Sequence, residues 1–255
     1  MKKVLITTIL LSSLLFNGFT ANASTNSKDE LLDLMPGMTI EEIDESIKEA
    51  SNLLGKSEDE VINQILSELK VQKTLTEEER LKNSTNGTIS KSSATTYAVG
   101  TTSKGDGTTY SLGAAKLNGD VFYEPASTFS VEHGHVGIYW TSNIIVESMP
   151  GDGVRVLNRS NKKVEGGSHI FTFSGISQTI KNKASNWAYN REGESYSYNF
   201  ATNRLTSHYG DKNCSKLVWS AYKVEGNVDL DSNGGLGVYP KDILKHSSSS
   251  IYKSY

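Results

Sequence analysis

The 255-residue sequence predicts an α+β protein with a small helical segment in front of it. Three observations carry this reading. Residues 24–82 hold apolar stripes at helical spacing, and residues 110–173 hold short β-rich runs separated by turn formers. The most apolar helix comes after those runs, so strands and helices are segregated along the chain rather than alternating.

Taken in order, Met1 to Ala23 reads as a secretory signal. Lys2 and Lys3 give a basic start, Val4 to Phe16 an apolar run, and Ala21-Asn22-Ala23 a small-residue cleavage motif. The run is too short for a membrane span, and no other stretch is long and apolar enough to make one. The expectation is a chain secreted outside the cell, free or associated with the cell wall, beginning at Ser24 and lacking a transmembrane segment.

Residues 24–82 form the helical segment. Four capping boxes are written into it: Ser27 with Glu30, Thr39 with Glu42, Ser57 with Glu60, and Thr76 with Glu79. Pro36-Gly37 separates a first helix from a second, and Gly55 ends the second. Ile40, Ile43, Ile47, Leu53 and Leu54 make one stripe, and Val61, Ile62, Ile65, Leu66 and Leu69 the next. This core is small, so the segment needs the rest of the chain for stability. It carries 15 acids against 7 bases, whereas residues 83–255 carry 14 acids against 17 bases. The opposite signs allow intramolecular docking, and a removable pro-region is one reading of it. The overall charge of −3 gives no reason to expect a nucleic-acid partner.

Residues 83–109 are a Ser/Thr/Gly-rich linker with too few apolar residues to order itself. Residues 110–255 form the main domain. Its expected strands are Asp120–Tyr123, His135–Trp140, Ile144–Ser148, Val154–Leu157 and His169–Phe173, close enough together for an antiparallel meander. A helix over Ile176–Asn190 follows, then a tyrosine-rich loop and the cysteine helix, and Gly237–Leu244 reads as a short strand or turn before a last helical turn.

Cys214 is the chain's single cysteine and has no intramolecular disulfide partner. Gly210, Asp211 and Asn213 before it are turn formers, while Leu217, Val218, Ala221 and Tyr222 after it recur at helical spacing. Cys214 is therefore the first residue of a buried helix, where backbone N–H groups and the helix dipole favour a thiolate. An odd thiol in an exported chain is a nucleophile, an intermolecular link or an inert core residue. Thiol catalysis needs a base and a group that orients the base. His135 begins a strand and His133 lies in the loop before it; the pinned strand position favours His135. Glu147 is the single acid in an apolar strand that pairs with the His135 strand, so it is placed to accept the second ring N–H. His133, His135 and Cys214 also offer a zinc-ligand spacing, but no second cysteine or compact acidic cluster joins them. His169, His208 and His246 read as surface or structural. The tyrosines from Tyr189 to Tyr209 either line a groove or pack. Asn213 offers a side-chain donor beside the thiol, although the Cys214 backbone amide is the more secure oxyanion donor.

Five segments in this order resemble the YiiX/YebB-like group of circularly permuted NlpC-type cysteine hydrolases. They are Gly119–Phe122, His135–Tyr139, Val146–Ser148, Cys214–Tyr222 and Tyr239–Ile243, and the resemblance covers Leu117 to Leu244. It implies a papain-like α+β domain, permuted so that the histidine strand precedes the cysteine helix. It implies Cys214 as nucleophile, His135 as base and Glu147 as third residue, with no cofactor and no metal. The implied activity is hydrolysis of amide bonds, with peptidoglycan peptides as the leading substrate. Two alternatives share the arrangement: a lipid thioesterase, phospholipase or acyltransferase of the lecithin:retinol acyltransferase type, and a non-catalytic wall-binding protein.

Overall fold

A computed structural model describes residues 20–85, 101–102, 108–128 and 131–255. The first 19 residues of the expected signal and most of the expected linker lie outside the described residues.

Three helices open the chain: α1 (Thr20–Leu34), α2 (Ile40–Leu54) and α3 (Glu58–Thr85). Two of the four capping boxes act as starts. Thr39 Oγ1 accepts from the Glu42 amide while the Glu42 carboxylate accepts from the Thr39 amide, and Ser57 with Glu60 does the same for α3. Gly55, at φ 64°, closes α2 in the left-handed conformation. The other two boxes lie inside helices. Ser27 falls within α1 and Thr76 within α3, because neither helix contains a Gly or Pro to interrupt it. The expected cleavage point at Ala23 also falls within α1.

The strands follow: β1 (Thr101–Thr102), β2 (Thr109–Ser111), β3 (Val121–Glu124), β4 (Ser127–Thr128), β5 (Val131–Glu132), β6 (His135–Tyr139), β7 (Ile144–Met149), β8 (Gly153–Asn158), β9 (Lys163–Glu165) and β10 (His169–Phe173). Then come α4 (Gln178–Tyr189), α5 (Cys214–Gly226), α6 (Pro240–Leu244) and β11 (Ser249–Ser254). The main sheet is six-stranded and antiparallel in the order β11-β10-β3-β6-β7-β8. The expected meander holds through β3, β6, β7 and β8. It fails at β10, which returns to the far side of β3 and sets Ile170 and Phe171 opposite Phe122 and Val121. That placement buries β3 between two strands and leaves β8 at the edge.

Alternation along the strands sorts the two faces. Val121, Tyr123, Val136, Ile138, Val146, Phe171 and Phe173 face α4 and α5 in one core. Phe122, Tyr139, Ile145 and Ile170 face a second core, shared with Val164 of the small β2–β9 ribbon and with Leu112 just after β2. A third core joins the helical segment to the rest. Ile43, Ile47, Val61, Ile65 and Leu69 pack with Ala201, Leu236 and Tyr239. The Glu68 carboxylate accepts from the Leu236 amide at 2.9 Å and the Gly237 amide at 3.2 Å, and Gln72 donates to Asp242 at 2.9 Å.

Candidate active site

Each expected site residue owes its position to a local cause. Cys214 is the first residue of α5 because Asn213 caps that helix, its side-chain oxygen accepting from the Lys216 amide at 2.9 Å. His135 is the first residue of β6 because Gly134, at φ 75°, turns the chain just before it; a Cβ there would lie 2.5 Å from the Tyr123 ring. Glu147 lies on β7, whose pairing of Ile138 with Val146 sets Gly137 opposite Glu147. His135 is then the diagonal neighbour of Glu147, within reach of a long side chain. Gly137 leaves that diagonal bare, since a Cβ there would come within 2.4 Å of the Phe122 ring.

The structure brings the three together. His135 Nε2 donates to Glu147 Oε2 at 2.8 Å, which leaves Nδ1 free to serve the Cys214 sulfur, whose charge acts on the ring. All three residues are buried, Cys214 to 1% exposure and Glu147 to 0%. Burial opposes a charged imidazole, but the Cys214 sulfur and the Glu147 carboxylate outweigh it and raise His135 to about 9. Burial likewise opposes an ionised Glu147. Lys162, His135 and Arg155 overcome it and hold the carboxyl well below its usual range.

Lys162 and Arg155 were not among the expected site residues. Arg155 grips Glu147 Oε1 through Nη2 at 2.6 Å and Nε at 3.0 Å, and Lys162 reaches Oε2 at 3.2 Å while also pairing with Glu124. Lys162 is itself buried, and its two carboxylate partners raise its affinity for the proton against that burial. Charged residues in the Asn158–Glu165 stretch have the local pattern of a solvated turn. The readable signal was the β7–β8 pairing, which sets Arg155 directly opposite Glu147.

His133 does not join the triad. Its Nδ1–H donates to the Gly134 carbonyl at 2.5 Å, its ring lies 4.8 Å from that of Phe200, and burial lowers it to about 4. His208 pairs with Ser220, His169 with Ser254 and His246 with Ser248. Among the described residues no cluster of three or more His, Cys, Asp or Glu side chains is arranged to hold a metal ion. Asn213 is not the side-chain oxyanion donor that its position offered. Its oxygen is spent on the helix cap, and its nitrogen donates to the Asn199 carbonyl at 3.0 Å. Tyr196 is the tyrosine that reaches the site: burial, then the nearby Cys214 sulfur, push its phenol well above the ordinary value.

No family model matches the chain. YycO, an uncharacterized protein of Bacillus subtilis (strain 168), is 37% identical over 224 residues, spanning 88% of this chain and 84% of YycO. The crystal structure of metalloprotein YiiX from Escherichia coli O157:H7 superimposes with a TM-score of 0.41 at 14% identity. That match covers 55% of this chain and 97% of the other.

Proposed function

This chain belongs to the family of YycO, and we propose that it is a thiol-dependent hydrolase of amide bonds acting through Cys214, His135 and Glu147. The observation that carries the reading is the buried Glu147–His135 hydrogen bond set beside the buried thiol at the start of α5. A structural thiol has no need of an oriented imidazole beside it, nor an imidazole of a carboxylate fixed by two cations.

In this mechanism the Cys214 thiolate attacks the carbonyl carbon and the carbonyl π electrons move to oxygen. The Cys214 amide, at the first turn of α5, faces the developing oxyanion. The C–N bond breaks as His135 delivers its proton to the leaving nitrogen. Water then attacks the thioester, giving one proton to His135 and releasing a carboxylic acid and the thiolate. Glu147 fixes the ring tautomer and balances the imidazolium. The thiol and the imidazole supply both nucleophile and proton, so the reaction calls for no cofactor. The proposed frame is the permuted papain-like, NlpC-type domain over residues 110–255, and the proposed setting is outside the cell. Peptidoglycan peptides are the proposed substrate, supported by the leader-like first 23 residues and the resemblance of the five segments.

The test is mass spectrometry of purified cell-wall fragments incubated with the wild type and with Cys214→Ser. New peptide termini with the wild type alone are expected. Identical digests from both proteins overturn the thiol mechanism. Release of fatty acid from acyl esters, with wall peptides untouched, moves the protein to the lipid-acyl class.

A further inference from the structure

Cys214 is buried to 1% exposure, so the route by which a substrate carbonyl reaches it is a question of its own. A groove of about 350 Å³, open to solvent, runs between the β7–β8 turn at Gly151–Gly153 and the loop from Gly193 to Tyr198. Both walls are tied to the site. On one wall, Asp152 pairs with Arg155, which holds Glu147, which holds His135. On the other, the Ser195 carbonyl accepts from the Lys212 amide at 3.1 Å, two residues before Cys214. The walls are tied to each other as well, for Val154 and Gly193–Glu194 exchange backbone hydrogen bonds of 2.8 Å. Tyr196 borders the groove, and the Cys214 sulfur acts on its phenol.

We infer that this groove is the substrate channel, and that it takes an extended peptide main chain of small polar residues and leads it past Tyr196 to Cys214. The inference rests on the hydrolase reading and narrows its substrate class. Two glycines in the walls, Gly151 and Gly193, face open space where a Cβ would stand, which lets a second backbone approach closely, whereas Gly153 is already packed against the Glu194 main chain. Two carboxylates border it as well, Asp152 paired with Arg155 and Glu194 paired with Arg191 and Lys212, and laying an aliphatic chain over these pairs strips their remaining water without replacing it. A peptide replaces that water with amide N–H donors. The apolar cavity lined by Leu34, Met35, Leu69, His133, Phe200 and Tyr239 is the competing route.

The experiment uses the full chain with Cys214→Ala, labelled with ¹⁵N-glycine and titrated with soluble muropeptides. Because binding is read without turnover, the channel stands or falls independently of the hydrolase reading. The expected result is shifts at Gly151, Gly153 and Gly193, and about tenfold weaker binding or more when Ser195→Trp is added. Ser195 is exposed, and a melting curve establishes that the added substitution leaves the fold intact. Shifts confined to Gly134 and Gly237 assign the substrate to the apolar cavity and overturn the channel. So does unchanged affinity in Ser195→Trp, or no shift at millimolar peptide. Shifts of the same three glycines by phospholipid vesicles, and not by muropeptides, overturn the peptide class.

Discussion

At the scale of single residues, the site is an alternation of charge: thiol, imidazole, carboxylate, then two cations. Removing the carboxylate from this line leaves Lys162 with Glu124 alone and Arg155 with Asp152 alone, so the cost falls below the about 3–5 kcal/mol of a buried charge left wholly unpaired. Glu147→Gln is therefore expected to lower the melting temperature. It should also retain more turnover than Cys214→Ala, because an orienting group is partly dispensable and the nucleophile is not. Equal and complete loss of activity in a folded Glu147→Gln protein would contradict the orienting role. Histidine 135 sets the alkaline limit. Its proton is needed by the leaving nitrogen, so kcat/KM should fall as pH rises through about 9. In Glu147→Gln that limb should move toward neutral pH, since a partner of the imidazolium is gone. The same linkage acts on stability: a folded value above the unfolded value of about 6.5 stabilises fully below that pH and ceases to do so as pH passes about 9. His133 works in the opposite direction. Lowered to about 4, it binds its proton more readily when unfolded, so it removes stability as pH falls from about 6.5 toward 4. Melting curves at pH 7 and pH 4.5 should differ less in His133→Gln than in the wild type.

Among the elements, α5 bears the most consequence. Its start is fixed by Asn213, which caps the helix, accepts from Ser215 Oγ at 3.1 Å, and ties the preceding loop down through Asn199. Asn213→Ala is expected to cost about 1 kcal/mol for the cap alone, and more because buried partners are left unpaired. Asn213→Asp keeps the cap oxygen but sets a second carboxylate oxygen against the Asn199 carbonyl at a fully buried position, so its unfolding midpoint should also fall below that of the wild type. If Asn213→Ala melts like the wild type, the cap is not what places Cys214. The β6–β7 pair is the second such element. Gly137→Ala would drive a methyl group against the Phe122 ring and the Val146 carbonyl, and the strain would be read as a lower melting temperature.

Across the whole molecule, the helical segment shares a core with the rest of the chain. Leu69, Leu66 and Ile65 lie in one cluster with Leu236 and Tyr239, and Glu68 holds two amides of the 236–237 turn. Leu66→Ala is expected to cost about 2–5 kcal/mol, as for any buried leucine. A chain beginning near Thr95 would uncover Leu236, Tyr239 and Phe200 together, so a lower melting temperature and binding of a hydrophobic dye are expected. A shortened chain that melts like the full one would mean that the segment is dispensable to the fold. These contacts are apolar and backbone-directed, so moderate salt should leave the difference nearly unchanged, unlike a contact held by opposite net charges.

What the sequence determined by itself was local. Thr39 with Glu42, Gly55 and Ser57 with Glu60 mark real helix ends, and the five apolar runs are real strands, because caps and alternation act over a few residues. The placing of Cys214 at a helix start and His135 at a strand start was legible for the same reason, as was Glu147 on the strand beside it. The tertiary structure decided what depends on strand order and burial. No window of sequence states that β10 returns to β3, or that β11 adds an edge strand beside it. Nor does one state that Glu68 meets a turn 168 residues away, or that Lys162 leaves solvent to share Glu147 with His135. A lysine in a polar turn looks solvated until the folded chain surrounds it with two carboxylates, because the energy that holds it there comes from groups far along the chain.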